Sequence, residues 1–142
     1  MAFVLPIVLF KRAQRKRAQR MLNDFIALAQ QQGFSLSSHE AWDQQQCMGL
    51  DTERRVLLHY TATADSPQLL TVHLTDMAKC RVVSSGSTER GAHTIGLGLT
   101  PHSGKDEVVL NIYSSTRSGI DPGQAMDIAN RWQRLVAQQL GR

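Results

Sequence analysis

The stretch Gly98–Asp106, GLTPHSGKD, is the first place to look for chemistry, because a glycine followed by Gly104-Lys105 resembles a loop that cradles phosphate. Its spacing is wrong for that work. Five residues separate the glycines where such a loop has four, and Asp106 stands where a Ser or Thr hydroxyl would hold magnesium. A strand-like EVVLNIY follows, so no helix N-terminus would face the phosphate. The segment is expected to be a hairpin turn. Gly96-Leu97-Gly98 fails as a dinucleotide fingerprint for a similar reason, since its third glycine would have to be Pro101.

The five histidines, His39, His59, His73, His93 and His102, form no HxH or HExxH. Alternation along two neighbouring strands would put His59 and His73 together, opposite Leu58 and Val72, as a solvent-facing pair. Two ligands are one short of the three that a catalytic zinc normally takes. Cys47 and Cys80 have no CxxC partner and lie in apolar surroundings, which fits inert buried thiols of a reduced compartment. There is no GxSxG, and Glu40 with Asp43 is a pairing too common to signal acid/base work. These residues predict no metal, no cofactor and no catalytic centre.

Charge is concentrated at one place. Of the 16 Lys and Arg residues in this 142-residue chain, six (Lys11, Arg12, Arg15, Lys16, Arg17 and Arg20) fall in the tandem KRAQRKRAQR. The remaining ten face 12 acids, so residues 21–142 carry about −2. Ahead of the basic block is MAFVLPIVLF, without a charge. A cleaved secretory signal has the opposite order, basic before apolar. Ten helical residues reach roughly 15 Å, half of a hydrocarbon core, so the block cannot span a bilayer alone. It could enter one leaflet while the six cations meet anionic headgroups, each worth about 1 kcal/mol, which would keep the rest of the chain cytoplasmic, at the inner face. Packing of residues 2–10 on the domain or on a second subunit is the competing reading, and a mis-started anchor a third. Nonspecific nucleic-acid binding would rest on the same block alone, because no aromatic residues are interleaved in the strands to stack bases.

The elements that must carry these residues are legible from periodicity. Met21, Leu22, Phe25, Ile26 and Ala29 form a helical stripe that Gly33 stops. Strands are expected at Gln46–Leu50, Arg55–Thr61, Leu69–Leu74, Lys79–Val83, Thr94–Leu99 and Glu107–Tyr113, with a loop at Ser84–Gly91. Leu70, Val72 and Leu74 define the buried side of the third. Asp121-Pro122 opens a terminal helix whose stripe is Ile128, Ala129, Trp132, Leu135, Val136 and Leu140, with Ile128, Trp132 and Leu135 as its anchor. Sequential short strands followed by one amphipathic helix predict a bent antiparallel sheet with that helix plugging an open end.

AMDIANRWQRLVAQQL resembles the C-terminal helix of pleckstrin-homology-like (PH-like) domains, and MGLDTERRVLLHY, LLTVHLTDMAKCRVV and EVVLNIYSS resemble segments of uncharacterised bacterial proteins with such a domain. The likeness covers roughly Trp42 to Leu140. It implies an α+β fold, a half-open barrel of six to seven strands closed by the C-terminal helix, with Phe34–Leu36 or Ala41–Asp43 supplying a seventh strand. Lipid-binding members of that fold hold inositol phosphates with Lys and Arg of the first hairpin. The matching turn, Asp51-Thr52-Glu53-Arg54-Arg55, cancels two bases with two acids, so protein binding or self-association fits it better. The expectation is a leader (1–20), a single PH-like domain (21–142) and a non-enzymatic adaptor or scaffold near a membrane, or alternatively a soluble homo-oligomer.

Overall fold

The computed structural model describes residues 19–42, 45–62, 67–87, 92–114 and 120–140. Helix α1 is described over 19–31. It ends where Gly33 takes φ +87, with Phe34 N–H donating to Ala29 O at 2.9 Å and Gly33 N–H to Gln30 O at 3.0 Å. Those two bonds satisfy carbonyls that the last turn would otherwise leave open.

Seven strands follow: β1 (Ser38–Trp42), β2 (Gln46–Asp51), β3 (Val56–Thr61), β4 (Gln68–His73), β5 (Met77–Ser87), β6 (Ala92–Pro101) and β7 (Val108–Ser114), with a 3-10 turn at Leu74–Asp76. They form two antiparallel sheets, β1-β2-β3-β4 and β5-β6-β7, with no closed barrel among the described residues. The seventh strand overlaps the Ala41–Asp43 candidate rather than Phe34–Leu36. β5 and β6 also run further than expected, β5 taking in Ser84–Ser87 of the supposed Ser84–Gly91 loop. Three serines carry that part of β5, residues that a pleated surface accepts without an apolar signal.

Helix α2 (Pro122–Ala137) starts with Asp121 as N-cap, whose carboxylate accepts from Gln124 N–H at 2.8 Å while the Gln124 side chain accepts from Asp121 N–H. It packs on β5, β6 and β7. Ile128 and Trp132 are buried and Leu135 is half-buried.

Two cores result. Leu50, Leu57, Val72, Leu97, Leu110 and Ile112 from both sheets meet Ile128, Trp132 and Val136 of α2. On the other side of the four-stranded sheet, Met21, Phe25 and Ala29 of α1 cover Cys47, Val56, Leu58 and Tyr60. With both faces covered, β3 is buried from Val56 to Tyr60, hence its continuous VLLHY in place of an alternating pattern. β4 departs from the expected buried stripe: Val72 and Leu74 are buried, whereas Leu70 is 45% exposed, because β4 is an edge strand.

Candidate functional site

The four-stranded sheet is covered outside by α1; among the described residues nothing covers the outer face of the three-stranded sheet. There, β5 and β7 stand on either side of β6, whose Gly96 and Gly98 make the floor of a trough of about 570 Å³. Val83 and Val109 flank it, and Ser85 and Thr94 form a hydroxyl pair at 2.7 Å. Across Gly98, Arg81 donates to Glu107 through Nε at 2.8 Å and Nη2 at 3.0 Å. A Cβ at position 98 would lie 2.5 Å from Glu107 Oε2, so glycine is what lets the pair cross. The Arg81 guanidinium holds the Glu107 carboxyl below its ordinary range. Self-neutralised and open to water, this trough offers shape and hydrogen bonds and no activated nucleophile or base.

The seam between the sheets is the second polar feature. Trp42 Nε1 and Gln46 Nε2 both donate to the Ile112 carbonyl, at 3.1 and 3.0 Å. With its amide nitrogen so used, Gln46 presents Oε1 to His59 Nε2 at 2.8 Å, which assigns the ring proton to Nε2. The His59 ring stacks on Trp42, centroids 6.2 Å apart. His59 is only 8% exposed, and burial pushes its pKa down to about 4.

This corrects the expected histidine pair. The register sets His59 opposite Leu70 and Leu57 opposite Val72, so His59 shares the inner face with Val72, and His73, opposite Val56, points to the other face and is exposed. The error lay in grouping Leu58 with Val72, which this register puts on opposite faces.

Asp51, read as part of a polar hairpin turn, is fully buried. It accepts from the backbone N–H of Ser35, Glu53 and Arg54 and from Arg54 Nη1. Burial alone would raise its pKa; the Ser35 and Arg54 amides and the Arg54 guanidinium outweigh that and hold it low. Arg54, though half exposed, is thus paired with Asp51, on a turn with little net charge.

Of the six leader cations, Arg20 is exposed in the first described turn of α1; Lys11, Arg12, Arg15, Lys16 and Arg17 lie outside the described residues. Glu40, set aside in the sequence as half of a common carboxylate pair, has a structural role. It accepts from Trp132 Nε1 at 2.8 Å and from Nε and Nη2 of Arg131, tying β1 to α2. A lone glutamate on a strand gives no signal of a partner 91 residues away. Among the described residues no group of three or more His, Cys, Asp or Glu could hold a metal, and no helix is long and apolar enough to cross a membrane. No family model, curated protein or solved structure matches the chain.

Proposed function

We propose that the chain is a non-enzymatic adaptor or scaffold of PH-like architecture, held at the inner face of an anionic membrane by its apolar-plus-basic leader and contacting a protein partner through the open three-stranded sheet. The observation that carries the adaptor reading is where, among the described residues, the two buried polar groups, Asp51 and His59, and the half-buried Glu40 are spent. Asp51 closes a turn, His59 bridges strands and Glu40 clamps α2, so each serves the scaffold. The order of four strands, three strands and a C-terminal helix supports the PH-like assignment.

The location is tested by vesicle co-sedimentation of the whole chain. With Lys11, Arg12, Arg15, Lys16, Arg17 and Arg20 all changed to Gln, binding to phosphatidylglycerol-containing vesicles should fall by about fivefold per residue, given about 1 kcal/mol for each cation, and wild-type binding should weaken with salt. Equal binding by both chains would discard the basic block as the anchor, and no binding by the wild-type chain would discard the membrane role.

A second reading, self-association, is favoured by β4. Its sequence QLLTVH has no charge and no proline, the usual guards on a sheet edge, and it exposes Leu70. If copies pair along this edge, the sedimentation-equilibrium mass should exceed the monomer's and Leu70→Lys should restore a monomer. A wild-type monomer at all concentrations rejects that reading.

A further inference from the structure

Each sheet has two edge strands, and the edges differ in how they are guarded. On β1, Glu40 is bound by Arg131 and Trp132 of α2. On β5, Lys79 and Arg81 supply charge, and the Cys80 carbonyl accepts from Gln133 Nε2 at 3.1 Å. On β7, the Ile112 carbonyl is already bonded by Trp42 and Gln46 of the other sheet. β4 has none of these guards. Gln68–His73 holds no Lys, Arg, Asp, Glu or Pro, and among the described residues β3 is the one element packed along it.

The hydrogen bonds at the ends of β3 fix which backbone groups of β4 are left open. Leu74 N–H donates to Arg55 O at 2.8 Å, so Arg55 and Leu74 form a hydrogen-bonded pair one step beyond Val56 and His73. Antiparallel pairs alternate between bonded and non-bonded, which turns the amides and carbonyls of Leu70 and Val72 toward β3 and those of Leu69, Thr71 and His73 outward. The far end of β3 agrees. There Ala62 N–H donates to Gln45 O at 2.7 Å, so the even-numbered residues of β3 bond β2 and the odd-numbered ones, His59 among them, bond β4. Leu70, 45% exposed, shares the inner face with Val72, while Leu69 packs on the α1 side.

A second copy of this strand is the occupant that fits the edge. Both strands are uncharged, so an antiparallel pair sets no like charges opposite each other. A two-fold axis at Thr71 uses every outward residue on each strand: Thr71 faces the partner's Thr71, and Leu69 faces the partner's His73. Sliding by two residues leaves one of the outward residues unpaired, and sliding by one sets outward groups against groups turned away. The same register sets Leu70 against the partner's Val72 as a non-hydrogen-bonded pair, where side chains come closest. It thereby covers the apolar side chain that β4 leaves in water.

We infer that two copies of the chain pair β4 to β4 antiparallel about a two-fold axis at Thr71, joining their four-stranded sheets into one. The inference rests on the self-association reading above and adds its strand register. A two-fold contact closes on itself, so assembly stops at the dimer. Six residues a side is well short of the roughly 20–30 of a standard interface, so the dimer dissociates on dilution.

Amide exchange of the full chain, read residue by residue by NMR when dilute and when concentrated, tests the pairing and its register together, with sedimentation equilibrium giving the fraction paired. Leu70 and Val72 amides should exchange slowly at both concentrations. Those of Leu69, Thr71 and His73 should exchange fast when dilute and about tenfold more slowly once nine-tenths of the chain is paired, since exchange then runs through the remaining tenth. Thr71→Pro removes one outward N–H and no bond to β3, a place where an edge strand accepts proline, and should be a monomer with Tm within a few degrees of wild type. A Thr71→Pro chain that still dimerises, or paired wild-type chain in which all three amides stay fast, overturns the β4 contact and moves self-association to another surface. Paired chain in which one of the three stays fast overturns the register. A wild-type monomer at every concentration overturns the self-association reading itself and leaves the edge to a strand of another protein.

Discussion

Trp132→Ala should lower the unfolding free energy by about 3–5 kcal/mol, the range for deleting a large buried aromatic side chain. For a chain of this length each kcal/mol moves Tm by about 3–4 °C, so a fall of roughly 10 °C or more is expected in calorimetry. The indole is 1% exposed and lies in the core that both sheets and α2 share. Removing it leaves a cavity bounded by Ile128 and Val136 on its own helix and by strands of two sheets, which cannot all close in together. Its Nε1–H bond to Glu40 is a smaller part of the loss. Glu40 keeps Arg131, and an ion pair this exposed contributes at most about 1 kcal/mol. Trp132→Phe separates the terms: it keeps most of the ring volume, loses the bond, and should cost about 1–2 kcal/mol. A Trp132→Ala chain within 1 kcal/mol of wild type would mean that α2 does not close this core.

The terminal helix could be read from the chain because its signals are local. Asp121, Pro122 and Gln124 supply the cap, and the stripe from Ala125 to Val136 repeats at helical spacing. The same holds for α1, where Gly33 marks the stop, and for the turn at Gly104. Strand ends were less legible, since Ser84 to Ser87 pair in β5 without an apolar pattern to announce them. What escaped altogether was non-local. Glu40 acquires its role from Arg131 and Trp132, and Gln46 from Ile112, 66 residues on; both depend on how the sheets come together. Asp51 was visible as a turn residue, but its bond from the Ser35 amide, 16 residues earlier and just after α1, carried no local signal. His59 was misplaced for a related reason. Alternation gives the two faces of a strand, but only the register between strands decides which face is core. The candidate site is therefore harder to read than the fold, because its members are set by register and by sheet-to-sheet contact.

His59 leads to the second large effect, a loss of stability in mild acid. The unfolded chain takes up the imidazole proton below its ordinary value of 6.5, whereas the folded chain does so only near 4. Between those values the unfolded state holds more protons, so stability falls as pH falls, by about 1.4 kcal/mol per unit and ~3 kcal/mol in all by pH 4, and levels off below. Among the described residues no counter-charge intervenes. On the inner face, β2, β3 and β4 bring Gln46, Met48, Leu57, Thr61, Gln68, Leu70 and Val72, and the one carboxylate, Glu40 of β1, is already held by Arg131. Asp51 acts with the same sign but lower down: its folded pKa is depressed, so its contribution is complete above about 3.8 and lost as pH drops through the folded value. The interval from 6.5 to 4 thus belongs to His59. Denaturant unfolding at pH 7, 6, 5 and 4 should show the decline in wild type, and His59→Gln, which can still donate to Gln46, should flatten it. Two chains with parallel declines would place the acid sensitivity elsewhere and leave the seam between the sheets indifferent to protons.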